Sequence, residues 1–254
     1  MGSCLEQAPF CSMIAEKLGR IVISVDYRMG PLSKFPAAVH DAEDVVRAVL
    51  EPASAANDIG TDMLDPSRLS LSGFSSGGNL ALNLATSIDT DDVDWPSPLS
   101  QHHGHPIPTL LFFPSFDQSI LPHERTPLET LTPKQQAKIM KPSKLGLSRY
   151  LTETYLSAEH RLHPRASPGK ASLSAILPGT QIFLVLCEID TLAKQSEEWV
   201  NRVQSEGKAN LVQIESCTGM KHGWTQIPDI ALSEREKQEK VKVFGKAVTF
   251  LSKF

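Results

Sequence analysis

The chain has 254 residues, of which 41% are apolar and 21% charged, so it is long enough for one domain with a full core and has the composition of a soluble globular protein. A formal net charge of −4 gives no electrostatic case for nucleic acid or an anionic membrane, and no run of residues reaches the length of a membrane span. The four cysteines (Cys4, Cys11, Cys187 and Cys217) have no metal-ligand spacing. A core of this size needs no disulfides, which predicts reduced thiols and a cytoplasmic protein.

Helical and strand-like patterns alternate in the first quarter of the chain. Apolar spacing predicts a helix over Cys4–Leu18, with Gly19 as its stop. The continuous β-branched run Arg20–Tyr27 predicts a strand covered on both faces. A second helix is predicted from about Ala37 to Leu50, and a polar connector over Pro52–Pro66. This order predicts an α/β fold, with a mostly parallel sheet and helices on both faces.

The stretch from Arg68 to Ala81 reads as a buried strand, a turn and a helix, and its turn spells Gly-x-Ser-x-Gly with Gly73, Ser75 and Gly77. This pattern is typical of a nucleophile elbow, a strained turn that lifts a serine hydroxyl out of the backbone. We expect glycines there because side chains would clash where strand and helix cross. Ser75 would lie at a helix N-terminus, which favours developing negative charge. The alternative is a Gly/Ser-rich turn without chemistry.

The middle of the chain interrupts the alternation. Asp89–Pro108 is predicted to be an exposed loop, and its histidines (His102, His103 and His105) a solvated turn rather than a metal site. A strand is predicted over Thr109–Phe113. Helical patterns around Pro133–Met140 and Ser143–Ser157 then predict an inserted cap over about 119–178, within a single domain that spans 1–254.

Regular alternation returns in the last third of the chain. Strands are predicted over Gln181–Leu186 and Leu211–Glu215, with a helix over Leu192–Glu206 between them. A terminal helix is predicted over Ser233–Phe254, and Ser233 and Glu236 have the spacing of a capping box.

A serine becomes nucleophilic only when a base takes its proton and an acid orients that base. Ligands of open α/β sheets bind at the C-terminal ends of the strands. Two candidate loops follow the strands predicted over Gln181–Leu186 and Leu211–Glu215. His222 is the candidate base, with a structural loop histidine as the alternative. Asp190 and Glu188 compete as the acid. Cys187 is expected to be an inert buried thiol.

Several motifs in this order resemble the hormone-sensitive-lipase-like (fold-3) branch of the α/β-hydrolases, including its fungal esterases. They are Asp26-Tyr27-Arg28 with Phe35-Pro36-Ala37, the elbow Gly73–Asn79, Ala166-Ser167-Pro168, Asp190-Thr191-Leu192 and His222-Gly223-Trp224. The resemblance implies an α/β-hydrolase fold with a helical cap. It also favours Asp190 over Glu188 as the acid, beside Ser75 as nucleophile and His222 as base.

The chain also departs from that family. The family carries a His-Gly-Gly-Gly loop, whose N–H groups form half of the oxyanion hole, shortly before a Gly-Ser pair that Gly2-Ser3 resembles. The chain therefore looks N-terminally shortened, without the initial strands. Loss of the family's third strand would leave a gap between Arg20–Tyr27 and Leu69–Gly73, with unpaired backbone groups on both sides. Phe74 and Leu32 replace acidic residues of the family.

The resemblance implies hydrolysis of a carboxylic ester, as in fungal secondary metabolism, without a metal or an organic cofactor. The mixture of Leu, Tyr and basic residues in the cap predicts a small or medium acyl group. Ser76 and Gly77 are then the oxyanion and substrate-binding residues. A ligand-binding pseudoenzyme that lacks the His-Gly-Gly-Gly loop is the main alternative. Amide hydrolysis and acyl transfer are further alternatives.

Overall fold

A computed structural model describes residues 3–50, 64–102, 104–140 and 154–254. Its strands are β1 (Leu71–Phe74), β2 (Ile88–Asp89), β3 (Asp94–Trp95), β4 (Ile107–Phe112), β5 (Thr180–Ile189) and β6 (Val212–Lys221). The main sheet has four parallel strands in the order β1-β4-β5-β6, and a separate two-stranded antiparallel ladder joins β2 to β3. The predicted parallel sheet is confirmed.

Helices cover both faces of this sheet. They are α1 (Ala8–Leu18), α2 (Ala37–Leu50), α3 (Ser76–Leu84), α4 (Pro133–Ile139), α5 (Ala193–Ser205) and α6 (Glu234–Leu251). Successive side chains of a strand point to opposite faces, so β4 and β5 contribute side chains to a hydrophobic core on each face of the sheet. Leu111 and Leu184 pack in the cluster that contains α2, α3 and α5 residues, whereas Leu110 and Phe183 pack with α1 and α6.

The strand predicted over Arg20–Tyr27 is wrong: the structure assigns no strand to these residues. Ile21 is 55% exposed, and a cavity of about 780 Å³ is lined both by this segment and by Leu69–Ser72, which includes the first residues of β1. A β-branched run becomes a strand only when a neighbouring strand takes up its N–H and C=O groups. The cavity lies where the gap in the sheet is expected.

The exposed loop predicted over Asp89–Pro108 is also partly wrong. This segment contains β3, and Leu99 in the 3₁₀ turn Pro98–Gln101 is 2% exposed. Trp95 donates its indole N–H to the buried carboxylate of Glu43 at 2.8 Å, which ties the segment to α2. Such contacts cannot be predicted from a short polar stretch, because the residues that it contacts lie far away in the sequence.

The segment predicted as a cap contributes α4, with Leu128 and Leu131 packed against Ala193 at the start of α5. This packing places it near the C-terminal end of β5, where Ile189 joins the same cluster. Most of the helical pattern Ser143–Ser157, part of the connector Pro52–Pro66, and His103 lie outside the described residues. No helix in the described part of the chain is long and apolar enough to cross a membrane.

Candidate active site

Ser75 lies between the end of β1 and the start of α3, as the elbow pattern predicts. Its backbone has φ 53° and ψ −113°, a strained conformation for a residue with a side chain. The Ser75 N–H donates to Phe112 O at 2.9 Å, and Ser75 O accepts the N–H of Ser115 at 3.2 Å. These bonds to β4 and the turn after it hold the elbow in place.

The glycines beside Ser75 have different physical roles. A Cβ on Gly73 would lie 2.0 Å from Gly77 O, so a side chain is impossible there, as predicted. A Cβ on Gly77 would meet no described atom within 4 Å, so the predicted clash at that position is wrong. Gly78 is the second tight position, because its Cβ would approach Pro114 Cβ to 2.8 Å.

The two loops at the ends of β5 and β6 bring the predicted acid and base to Ser75. His222 Nε2 lies 2.9 Å from Ser75 Oγ, and His222 Nδ1 lies 2.6 Å from Asp190 Oδ2. The Asp190 side chain is 2% exposed, and its Oδ1 accepts the N–H of Leu192 at 2.8 Å. The carboxylate is therefore oriented by contacts on both oxygens, and the imidazole bridges it to the hydroxyl.

The structure distinguishes Asp190 from its competitor Glu188. Glu188 Oε2 accepts the backbone N–H of Gly219 at 2.7 Å, three residues before His222. The pairing of β5 with β6 has a register irregularity between Cys187 and Ile189. Glu188 thus holds the last residues of β6, just before His222, while Asp190 contacts the ring of His222.

Ser76 and Gly77 lie in the first turn of α3, where backbone N–H groups have no intrahelical acceptor. The Ser76 N–H is one residue from the Ser75 hydroxyl and is the predicted oxyanion donor. The Ser76 hydroxyl lies 3.0 Å from the Tyr27 hydroxyl. Tyr27 belongs to the Asp26-Tyr27-Arg28 motif, but nothing in the sequence predicts this contact.

Phe113 is a residue of the site that sequence reasoning missed. It has a positive φ of 38°, is buried beneath the site, and its ring centroid lies 5.0 Å from that of His222 in an edge-to-face arrangement. The same ring lies 5.9 Å from that of Trp224. The sequence carries no signal for it, because a residue before a proline such as Pro114 is expected in the extended region rather than at positive φ.

Two cavities meet at Ser75 and His222. The first, of about 780 Å³, extends between β1 and residues 20–27. The second, of about 670 Å³, lies toward the end of β5 and is lined by Asp190 and Arg125. In the described part of the chain, no group of three or more His, Cys, Asp or Glu side chains could hold a metal ion.

Residues 1–226 match the model of a family described as the alpha/beta hydrolase fold. The chain belongs to this α/β-hydrolase family. The family resemblance drawn from its motifs is confirmed.

Known proteins similar to this α/β-hydrolase include curated esterases. It is 33% identical to bovine neutral cholesterol ester hydrolase 1 over 81 residues, which are 32% of this chain and 19% of that protein. It is 27% identical to carboxylesterase NlhH of Mycobacterium tuberculosis over 209 residues, which are 82% of this chain and 57% of that protein. The chain thus spans less than two thirds of the length of these relatives.

A solved structure shows the same fold. The hyperthermophilic esterase from Pyrobaculum calidifontis superposes on this α/β-hydrolase with a TM-score of 0.70 and 22% identity. The superposition covers 99% of this chain and 72% of that one.

Proposed function

We propose that the chain is a serine hydrolase that cleaves carboxylic esters of small or medium acyl groups through an acyl-enzyme. The observation that carries this proposal is the unbroken series of contacts from Asp190 through His222 to Ser75 Oγ. The esterase names of its relatives support the same reaction.

In the acylation step, Ser75 Oγ attacks the ester carbonyl while His222 Nε2 takes its proton. Asp190 keeps the imidazole in the correct tautomer and stabilises the imidazolium. The Ser76 N–H donates to the oxyanion, with the positive end of α3 directed at it, and Gly77 leaves space beside it. His222 then gives its proton to the alkoxide, and the alcohol leaves.

In the deacylation step, His222 takes a proton from water, and the resulting nucleophile attacks the acyl-enzyme carbonyl. The acid is released when Ser75 recovers its proton. Each step uses side chains and backbone groups of this chain and one water molecule.

The test is hydrolysis of p-nitrophenyl acetate and butyrate by the purified chain and by Ser75→Ala. We expect a loss of at least about 10³-fold in kcat/KM for the variant, because the remaining groups only bind and polarise the ester. A fluorophosphonate probe should label the chain at Ser75 and leave Ser75→Ala unlabelled. Equal rates for both proteins would contradict the proposal.

A ligand-binding pseudoenzyme is the second candidate, and one observation favours it. The 780 Å³ cavity opens beside Ser75, and the proposed oxyanion donors lie on its α3 side. Without the oxyanion donors that the family's His-Gly-Gly-Gly loop supplies, the rate would fall about 10²- to 10³-fold. This candidate predicts that esters bind to the chain without turnover, although Ser75 still reacts with the probe.

Ester and amide hydrolysis share the same three side chains, so paired substrates separate them. We expect faster release from a p-nitrophenyl ester than from the matching p-nitroanilide, because the alkoxide leaves more easily. A role in fungal secondary metabolism stays a prediction from the family resemblance.

A further inference from the structure

The 670 Å³ cavity has a lining that combines the site with an arginine and apolar side chains. Ser75, His222 and Arg125 all line it, together with Ile139, Ile189 and Leu192. A substrate bound at Ser75 can therefore extend along an apolar wall toward a guanidinium.

Two other arginines with buried guanidinium atoms, Arg165 and Arg202, bind backbone carbonyls. Arg165 donates to Asn83 O and Thr86 O, and Arg202 donates to Ala171 O. The Nε atoms of all three arginines are buried without a partner. Arg125 differs from the other two in that its side chain makes no hydrogen bond or ion pair with any residue that the structure describes. Since the guanidinium N–H groups have no acceptor among the described residues, they are available for a ligand.

The nearby carboxylates do not use these donors. Asp190 is already bonded to His222 and Leu192, and Asp117 accepts from Ser119 and forms an ion pair with Lys170 at 3.1 Å. Burial lowers the pKa of Arg125, although both carboxylates act in the opposite direction. Neither carboxylate forms a hydrogen bond or an ion pair with the guanidinium.

We propose that Arg125 determines substrate specificity by binding a carboxylate carried by the ester. This inference rests on the proposed function and names its substrate class. The substrates are half-esters of short dicarboxylic acids: the methylene chain lies along the apolar wall, and the free carboxylate forms a bidentate pair with the guanidinium. Hydrolysis consumes one water and yields the dicarboxylate and an alcohol.

The kinetic test compares monoethyl glutarate with ethyl pentanoate, which share the leaving group and the acyl chain length. Ethanol release is measured for the unmodified chain, Arg125→Met and Lys134→Met. We expect Arg125→Met to lower kcat/KM for the half-ester about 10- to 100-fold, mostly through KM, and to leave the neutral ester within about twofold. Lys134→Met removes an equal charge from an exposed position of α4 and should leave kcat/KM unchanged for both substrates.

Arg125→Lys separates charge from geometry. A lysine keeps the charge but not the planar pair of donors, so it should restore part of the preference for the half-ester. Circular dichroism and a thermal melt of each variant show whether it is folded. An equal loss for both esters in a folded Arg125→Met would mean that Arg125 only balances Asp117 and Asp190, and would overturn the proposal.

A binding experiment tests Arg125 independently of turnover. Calorimetric titration of Ser75→Ala with monoethyl glutarate should show affinity that Ser75→Ala/Arg125→Met loses about tenfold or more, and that added salt weakens. If the unmodified chain hydrolyses no ester, the proposed function fails, whereas this titration still decides about Arg125. Equal affinity of the two proteins would overturn the inference.

Discussion

Glu188 and Gly219 are joined by a hydrogen bond between the carboxylate Oε2 and the backbone N–H, 2.7 Å long. Gly219 has a φ of 76°, in the left-handed region, and precedes His222 by three residues. Asp190, two residues beyond Glu188, contacts the His222 ring itself. The end of β5 therefore holds the ring of His222 through Asp190 and the backbone of Gly219, three residues earlier, through Glu188.

Substitutions of these two acids should have effects of very different size. Asp190→Asn should lower kcat about 10³- to 10⁴-fold, because an amide favours the wrong tautomer of His222. Glu188→Ala should lower it about tenfold or less, because it removes one hydrogen bond from the loop backbone. Steady-state hydrolysis of a p-nitrophenyl ester measures both. The reverse order of effects would show that Glu188 is the acid.

Gly73→Ala should unfold the elbow. The new Cβ would lie 2.0 Å from Gly77 O, and both backbones are held by the sheet and α3, so we expect a loss of about 3 kcal/mol or more in the free energy of unfolding. Urea denaturation measures it.

Gly245→Ala is the matched control for that variant. Gly245 lies in α6, and its Cβ would meet no described atom within 4 Å, so alanine should stabilise the helix by up to about 1 kcal/mol. If both variants gave the same change in stability, the close approach at Gly73 would be refuted.

Asn79 links the elbow helix to the loops around the site. Its buried amide donates to Ser115 O at 2.7 Å and to Ala166 O at 3.0 Å. Asn79→Ala should therefore destabilise the protein by about 2–4 kcal/mol, because two buried carbonyls lose their donor. Thermal or urea denaturation measures the loss.

Asn79→Asp keeps the shape of Asn79 and tests the direction of these hydrogen bonds. An ionised carboxylate cannot donate and would face two carbonyl oxygens, so this variant should be less stable than Asn79→Ala at pH 7. A melting temperature for Asn79→Asp equal to that of the unmodified chain would contradict the assigned donors.

The four cysteines should react in two groups. Burial raises the pKa of Cys187 well above its usual value and that of Cys217 to about 12, so neither forms a thiolate near pH 8. Cys4 and Cys11 are partly exposed. Iodoacetamide at pH 8 should modify this pair first, as seen by peptide mass spectrometry, and all four after denaturation. Fast native modification of Cys187 would contradict the assignment of this residue as inert.

The sequence predicts best where the physical cause is local. The capping box of Ser233 and Glu236 is present at the start of α6, because its partners are three residues apart. The elbow at Ser75 follows from a few backbone positions in the same way. Apolar runs such as those in β4 and β5 predict buried strands because each needs cover on both faces.

Local patterns fail where a distant partner is required. Arg20–Tyr27 has the composition of a strand, but a ladder needs a neighbouring strand, and the 780 Å³ cavity lies beside it instead. Leu99 looked like part of an exposed loop because the surfaces that bury it come from other parts of the chain.

The residues by themselves determined that a serine elbow precedes an acid loop and a histidine loop in an α/β chain. Only the tertiary structure decided which acid contacts His222. It also decided that Phe113 and Arg125 lie near this histidine. The reason is that parallel strands bring their C-terminal ends to one edge, so side chains distant in sequence become neighbours there. The register irregularity between Cys187 and Ile189 at that edge affects which of these side chains come into contact.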